Sequence, residues 1–271
     1  MICCIRNKNE KEIDNMKMID LFCCAGGAAV GYYKAGFDEI IGVDIVDRPN
    51  YPFEFVKMDA LEYLRTIDLS DVDFIHASPP CQCYSKLKYL SGNVEKWEDE
   101  HVDLIAPTRE LLIKTGKPYV IENVEGSPLI NPIKLCGSQF ENMYTQRPRL
   151  FESNIHLRKP DTPVVRHKTL KLGQGPAEDG YITVAGTRPP KGMNEVQAKL
   201  YYGFALGGID WMSLEELTQA IPPCYTEFIG KQIIDYLDNQ NREQKIETVN
   251  SIQEMLMSKE FIELVNKYMV G

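Results

Sequence analysis

The chain has 271 residues, of which 44% are hydrophobic and 25% are charged. This composition excludes a disordered or fibrous protein and predicts one large globular domain, or a core domain with a small insert. The net charge of −9 excludes a uniformly basic surface, although a local basic face remains compatible with it.

Within the N-terminal residues 1–15, charged side chains begin after the first five positions. The segment therefore has no apolar core as long as that of a signal peptide. We expect them to be a leader that need not be ordered. No apolar run approaches the roughly 20 residues that a bilayer requires. The cysteines do not form the paired C-x-x-C hooks of a structural zinc site. These features predict a cytoplasmic protein with reduced thiols, without a bound metal and without a membrane partner.

Apolar runs alternate with helical patterns along the first half of the chain. The predicted strands cover residues 17–22, 39–43, 55–58, 72–77 and 119–121, and the predicted helices run up to residue 35 and over residues 60–67 and 104–115. Glycine or polar residues follow each strand. This order is typical of a doubly wound α/β sheet, in which ligands bind beyond the carboxyl ends of the parallel strands.

The alternation fades after residue 151. Residues 152–208 are rich in Pro, Gly, Thr and basic side chains, which predicts a small irregular or β-rich insert. Residues 134–202 contain eleven basic and six acidic side chains and carry +5, so the rest of the chain carries −14. We expect a phosphate-binding face on this insert. The catalytic domain is predicted at residues 16–151, with a return to it at 209–240 and a C-terminal helical segment at 241–271.

A glycine-bearing loop follows the first predicted strand. Gly26 and Gly27 would let the backbone approach a ligand closely, as nucleotide-like cofactors require, although a plain tight turn is the alternative. The G-x-G-x-x-G fingerprint is absent, which disfavours a dinucleotide oxidoreductase. Asp44 and Asp59 end the next two strands and could accept from a ribose and an adenine amino group. An acidic cleft suits the cationic sulfonium of S-adenosylmethionine better than it suits NAD.

Cys81 follows two prolines at the end of the fourth predicted strand. The prolines should hold the thiol on a stiff loop at the ligand edge of the sheet. A lone cysteine is more often a buried hydrophobe than a nucleophile. A reactive thiol needs a nearby positive charge to lower its pKa, and Arg147 and Arg149 could supply that charge.

Three motifs together resemble those of the cytosine-5 DNA methyltransferases of the compact phage or prokaryotic type: D-L-F-C-C-A-G-G at residues 20–27, S-P-P-C-Q at 78–82 and E-N-V at 122–124. The resemblance implies a Rossmann-like methyltransferase fold. It also implies transfer of a methyl group from S-adenosylmethionine to cytosine in double-stranded DNA, with the target base flipped out of the helix. A tRNA cytosine methyltransferase and a catalytically silent nucleic-acid-binding relative are the alternatives.

The resemblance implies roles for individual residues. Cys81 would attack carbon 6 of the base, and Glu122 would hydrogen-bond or protonate N3 and the exocyclic amine. Arg147 and Arg149 match the arginines of a Q-x-R-x-R motif and would hold the reacting groups in register. The implied cofactor-binding residues are Phe22, Ala25, Gly26, Gly27, Asp44, Asp59 and Pro80, and the implied DNA-binding residues are Gln82, Ser85, Lys86 and Lys88.

The chain departs from the family pattern at two positions. Thr145 stands where the Q-x-R-x-R motif has its glutamine, and Gln219 replaces the asparagine of a G-N-A-V-P-P segment that corresponds to residues 218–223. The stretch available for target recognition is also short. We therefore expect a monomeric enzyme with a short or relaxed target sequence.

Overall fold

The protein was analysed as a computed structural model that describes residues 15–84, 102–167, 180–186, 188–256 and 258. The predictions made for the leader before residue 15, and for Ser85, Lys86 and Lys88, lie outside the described residues.

A seven-stranded mixed sheet forms the centre of the fold, with the strand order β3-β2-β1-β4-β5-β7-β6. Strands β1 to β5 are parallel, and the order reverses between β1 and β4, which is the switch point where doubly wound sheets bind ligands. The predicted α/β fold class is confirmed. The strands are β1 (Lys17–Leu21), β2 (Glu39–Asp44), β3 (Glu54–Lys57), β4 (Phe74–Ala77), β5 (Tyr119–Asn123), β6 (Ile133–Leu135) and β7 (Arg149–Ser153).

Six α-helices lie within the described residues. They are α1 (Gly27–Ala35), α2 (Ala60–Thr66), α3 (Ile105–Thr115), α4 (Glu195–Ala205), α5 (Leu214–Gln219) and α6 (Pro223–Leu256). The first three match the helices predicted from the alternating pattern to within a residue or two at each end.

Helix α4 differs from the sequence-based expectation, because it lies in the stretch predicted to be irregular or β-rich. A reciprocal capping box between Asn194 and Gln197 begins this helix. Ala198, Tyr202 and Ala205 are then buried at helical spacing. The signal was present in the sequence, but the surrounding prolines and glycines obscured it.

The sheet has a packed layer on each face, as alternating side chains along its strands require. On one face, Ile19 and Ile75 pack with Leu64 of α2 and Leu112 of α3. On the other face, Tyr32 of α1 contacts Phe74, with ring centroids 5.0 Å apart. Helix α1 also approaches the first turns of α6 so closely that a Cβ on Gly31 would overlap the side chain of Thr226.

The chain divides into two compact units, Met1–Lys231 and Gln232–Gly271, and helix α6 begins in the first and continues in the second. The boundaries predicted at residues 151, 208 and 240 stay predictions. Within the described residues, every helix is too short or too polar to cross a bilayer.

Strands β6 and β7 were not predicted from the sequence. Strand β7 runs antiparallel to β5, with Phe151 opposite Glu122 and Leu150 opposite Asn123. An antiparallel neighbour begins where the parallel strands end. Arg149, the first residue of β7, is therefore delivered to the ligand edge of the sheet.

A buried ion pair fastens β7 to helix α3. Nε of Arg109 lies 2.6 Å from Oε1 of Glu152, and its Nη2 lies 2.8 Å from Oε2. The same carboxylate accepts a hydrogen bond from the backbone N–H of Ile130 at 2.7 Å. Bidentate geometry with an additional donor is the arrangement in which a buried carboxylate is fully satisfied.

We expect Arg109→Met to destabilise the fold by about 3–5 kcal/mol, because it leaves the Glu152 carboxylate buried without its partner. Urea unfolding measures the change. The matched control is Lys114→Met, which breaks an exposed ion pair with Glu110 on the same helix and should cost less than about 1 kcal/mol. Equal losses in the two variants would contradict the role given to the buried pair.

Candidate active site

The predicted site residues meet along one edge of the sheet. The glycine loop follows β1, Asp44 ends β2, Asp59 follows β3, Cys81 follows β4, and Glu122 lies in β5. Because these strands are parallel, their carboxyl ends share one edge. The edge therefore holds both the implied cofactor residues and the implied reacting groups.

The glycine loop is a tight backbone cradle. Phe22 and Cys24 adopt left-handed conformations, with φ of 56° and 46°, and Gly26 follows with φ of 80°. A Cβ on Gly26 would lie 2.7 Å from Cδ of Pro52, and a Cβ on Gly27 would lie 2.4 Å from the carbonyl oxygen of Ile221. Both positions therefore require glycine, and α1 begins directly after the cradle with no side chain capping its first turn.

The segment around helix α5 holds this loop from outside the sheet. Nε1 of Trp211 donates a 2.8 Å hydrogen bond to the carbonyl of Ala25. The thiol of Cys24 lies 3.7 Å from Oε1 of Gln219. Ala25 is fully buried in a core cluster that it shares with residues of α4 and α5. Gln219, which replaces the expected asparagine, thus contacts the cofactor loop directly.

The two predicted cofactor aspartates already make structural hydrogen bonds. Asp44 accepts from the backbone N–H groups of Cys24 and Val46, and its Oδ2 lies 3.2 Å from Nε of Arg48. Asp59 caps the first turn of α2 through Oδ1. Nη2 of Arg48 also donates to Oδ1 of Asp44 at 3.4 Å, so a ligand hydroxyl at Asp44 would take the place of an Arg48 contact, whereas Oδ2 of Asp59 retains acceptor capacity.

Two exposed aliphatic residues follow Asp44, and the sequence analysis did not identify them. Ile45 and Val46 are 66% and 52% exposed, although both are aliphatic. Phe22 is half-buried and packs against the sheet core, whereas Pro80 is exposed. Two aliphatic residues directly after a strand-end aspartate were the signal that could have revealed this surface.

The loop that carries Cys81 is fixed by the asparagine of the E-N-V motif. Nδ2 of Asn123 donates a 2.9 Å hydrogen bond to the carbonyl of Pro79, and Asn123 is 1% exposed. The thiol of Cys81 is half-buried, and Gln82 is exposed. The stiff loop expected from the two prolines is therefore held from β5 as well.

Glu122 and Arg149 form an ion pair beside this loop. Nε of Arg149 lies 3.0 Å from Oε1 of Glu122. The contact lacks the alignment of a hydrogen bond, and among the described residues Oε1 has no hydrogen-bond partner although it is buried. Burial raises the pKa of Glu122, whereas Arg149, Arg147 and a hydrogen bond from the side chain of Ser78 lower it.

Arg147 bonds backbone carbonyls of other segments. Its guanidinium donates to the carbonyls of Thr218 and Ala220, both at 2.7 Å, and to that of Val184 at 3.3 Å. These hydrogen bonds tie the loop before β7 to the C-terminal end of α5 and the residue after it. Direct contact with the reacting groups, as expected from the motif, stays a prediction for Arg147.

A cavity of about 250 Å³ opens beside the two arginines. It is lined on one side by residues 145–147 and Arg149, and on the other by residues 181–184. Thr145, which stands in place of the motif glutamine, is buried in its wall. The cavity faces residues of the predicted insert.

The pKa of Cys81 differs from the sequence-based expectation. Arg149 and Arg147 lower it, as predicted, but burial and the Glu122 carboxylate raise it by more, so the net direction is upward. The sequence indicated the two arginines, but it could not show that the Glu122 carboxylate opposes their effect on the thiol. The free protein therefore holds Cys81 as a thiol at neutral pH.

Residues 16–132 match the family model described as C-5 cytosine-specific DNA methylase. The match covers strands β1 to β5 of the sheet and spans less than half of the chain. It contains the glycine loop, Cys81 and Glu122. Arg147, Arg149 and the helices after β7 lie beyond the matched residues.

Two Type II methyltransferases illustrate the likeness to known family members. M.DdeI of Desulfomicrobium norvegicum is 31% identical over 121 residues, which is 41% of this chain and 28% of that protein. M.NgoPII of Neisseria gonorrhoeae is 29% identical over 130 residues, which is 45% of this chain and 37% of that protein. The matched part spans only about a third of these relatives.

The fold also resembles a solved structure. A prophage-encoded protein of E. coli, described as a DNA modification methyltransferase, superposes with a TM-score of 0.53 at 15% sequence identity. The superposition covers 83% of this chain and 99% of that one. At this identity the likeness shows a shared fold.

We expect Glu122→Gln to make Cys81 more reactive toward iodoacetamide, because it removes a carboxylate that raises the pKa of the thiol. In the wild type the alkylation rate should climb only above the ordinary thiol pKa, and in the variant it should climb at lower pH and be roughly severalfold faster at pH 8.

Peptide-resolved mass spectrometry separates Cys81 from the other cysteines. Cys224 serves as the internal control, because burial and Glu227 raise its pKa independently of Glu122. An unchanged or slower Cys81 profile in the variant would show that Glu122 does not act on the thiol.

Proposed function

We propose that the protein transfers a methyl group from S-adenosylmethionine to carbon 5 of cytosine in double-stranded DNA. One observation carries the proposal: a thiol, a buried carboxylate with an unsatisfied oxygen, and an arginine lie together at the edge that holds the glycine cradle. The likeness to Type II methyltransferases supports the same reaction.

The cradle fits a methyl donor of this kind. Gly26 and Gly27 let the loops at Pro52 and Ile221 pack closely against the start of α1, and the first turn of that helix has no side-chain cap, so its backbone N–H groups could bond a ligand. Asp59 retains an acceptor site for an adenine amino group, Asp44 would exchange a contact with Arg48 for ribose hydroxyls, and the exposed Ile45 would pack against the apolar face of the adenine. When bound, S-adenosylmethionine supplies an electrophilic methyl group.

Cys81 would begin the reaction by attacking carbon 6 of the cytosine. The thiol must first lose its proton, and the negative charge of the Glu122 carboxylate opposes that loss. When the base donates hydrogen bonds to Glu122, they offset the negative charge of the carboxylate. When Glu122 is protonated, before it passes that proton to N3, the charge is absent. In both cases Glu122 no longer opposes formation of the Cys81 thiolate. Arg149 and Arg147 then oppose the effect of burial without the added opposition of Glu122. Substrate binding would thus activate the nucleophile.

The covalent step balances around the base. The thiol proton passes to water, the sulfur–carbon 6 bond forms, N3 is protonated with help from Glu122, and the displaced electron pair makes carbon 5 nucleophilic. Carbon 5 would take the methyl group as the bond between that group and the donor sulfur breaks with its electron pair on the sulfur. Loss of the carbon 5 proton to water then returns the electron pair, N3 gives back its proton, and the bond to Cys81 breaks with its electrons on the cysteine sulfur, which takes up a proton again. The chain supplies the thiol and the acid.

The target base must leave the duplex for this chemistry. The cavity beside Arg149 is the place in the described residues that could receive it, and Gln82 stands exposed on the thiol loop. The insert would contact phosphates through exposed basic side chains. Those that the structure describes are Arg158, Lys159, Arg166, Arg188 and Lys191.

We expect the wild-type protein, as a monomer, to transfer label from S-adenosylmethionine to duplex DNA, and Cys81→Ala to transfer none. Cys83→Ala is the matched control, since that thiol lies two residues away and should be dispensable. Label in tRNA but not in duplex DNA would favour a tRNA methyltransferase. Equal labelling by wild type and Cys81→Ala would overturn the mechanism.

We expect Gly26→Ala to lower the affinity for S-adenosylmethionine at least tenfold. Gly116→Ala is the control, because Gly116 also has a positive φ of 67° but faces open space at the end of α3. The positive φ should cost each variant roughly 1–2 kcal/mol of stability, and Gly26→Ala adds the overlap with Pro52, so unfolding curves measure both losses and affinities are compared where both variants are folded. Isothermal titration measures the affinity, and equal binding by both variants would contradict the cradle.

A further inference from the structure

A chain of buried polar side chains runs behind the candidate active site. The hydroxyl of Tyr32, on α1, lies 2.9 Å from Nδ1 of His76, on β4. Nε2 of the same imidazole lies 2.9 Å from the hydroxyl oxygen of Ser78. Tyr32 and His76 are fully buried. The chain therefore connects the interior of the sheet to the loop that carries Cys81.

Burial fixes the protonation state of this chain. Burial lowers the pKa of His76 to about 3, so the ring is neutral and carries one N–H. Burial, Asp20 and Glu122 raise the pKa of Tyr32, so its hydroxyl keeps its proton. Of the two tautomers compatible with these contacts, the one with the proton on Nε2 has Tyr32 donating to Nδ1 and Nε2–H donating to Ser78, which leaves the Ser78 O–H for another acceptor.

Ser78 passes this order on to Glu122. The Ser78 oxygen accepts the hydrogen bond from His76, so the Ser78 O–H points to a different acceptor. Ser78 follows Ala77, which pairs with Ile121, so it lies beside Glu122 across the β4–β5 ladder, and its side chain lowers the pKa of Glu122 as a hydrogen-bond donor does. Arg149 approaches Oε1 of the same carboxylate from β7. Glu122 is thus held from two sides, and Oε1 keeps its unsatisfied acceptor site.

We propose that Ser78 is a positioning residue for Glu122, and that Tyr32 and His76 act through it by fixing the direction of its hydroxyl. This inference rests on the proposed function, in which Glu122 bonds the cytosine. The hydrogen-bonded series Tyr32–His76–Ser78 fixes the orientation of the Ser78 hydroxyl and transfers no charge. A neutral imidazole with one fixed tautomer can do this without titrating in the pH range of the reaction.

The charged and titratable groups that face Glu122 come from several elements. They are Arg149 from β7, Arg147 from the loop before it, Cys81 from the loop after β4, and Tyr32 from α1. Ser78→Ala leaves all of them in place and removes only a donor to the carboxylate. The pKa of Glu122 should therefore rise in that variant.

The first arm of the test needs no methyl transfer. The protein is labelled with carboxyl-¹³C glutamate, and the Glu122 signal is assigned by its absence in Glu122→Gln. Its titration midpoint should move to higher pH in Ser78→Ala and, by a smaller amount, in Tyr32→Phe. Thr226→Val is the control, since it removes a buried hydroxyl bonded to a carbonyl of α1 and should leave the midpoint unchanged.

The second arm measures single-turnover methyl transfer to duplex DNA as a function of pH. Ser78→Ala and Tyr32→Phe should slow the methyl-transfer step roughly tenfold, a part of the general-acid contribution. They should also move the pH limb set by Glu122 upward with little change in the affinity for S-adenosylmethionine. Thr226→Val should keep the wild-type limb. Unfolding curves identify any variant that loses its fold, and Tyr32→Phe then replaces Ser78→Ala.

The outcomes separate the two proposals. A Glu122 midpoint that Ser78→Ala and Tyr32→Phe leave unchanged would overturn the positioning role, and so would slower transfer with an unmoved pH limb. A wild-type protein that methylates neither DNA nor tRNA would contradict the proposed function, while the carboxyl titration would still decide whether Ser78 controls Glu122.

Discussion

The pairing of β5 with the antiparallel strand β7 is the constraint on which the site depends. It brings Arg149 to the edge where the parallel strands end, 3.0 Å from Glu122. Without this reversal of direction, the arginine would begin its strand at the opposite edge. The buried pair of Arg109 and Glu152 holds β7 in place, so a structural ion pair supports the geometry of the candidate catalytic one.

The second half of the described chain completes the site by holding loops. Trp211 bonds the carbonyl of Ala25 in the glycine cradle, and Arg147 bonds the carbonyls of Thr218 and Ala220. The segment around α5 therefore connects the cradle to the strand that carries Arg149. This explains why residues outside the matched family region contribute to the arrangement of those inside it.

The edge of the sheet could be predicted because each parallel strand is followed by a glycine, aspartate, cysteine or glutamate in the sequence. Strand β7 could not, because its five residues begin with Arg149 and include Glu152, so they show no apolar run. The different partners of Arg147 and Arg149, backbone carbonyls for one and Glu122 for the other, accompany a backbone with φ of 34° at Arg147, which no spacing rule indicates. The raised pKa of Cys81 arises first from burial and then from Glu122, and both depend on the folded structure.

The central claim is that Cys81 becomes covalently attached to a cytosine. Duplex DNA containing 5-fluorocytosine tests it directly, because fluorine on carbon 5 cannot leave as a proton does and the adduct persists. After incubation with S-adenosylmethionine and digestion, mass spectrometry should find the methylated, fluorinated nucleotide on the peptide that contains Cys81. Methylation of ordinary DNA without such an adduct, or an adduct on another cysteine, would contradict the account.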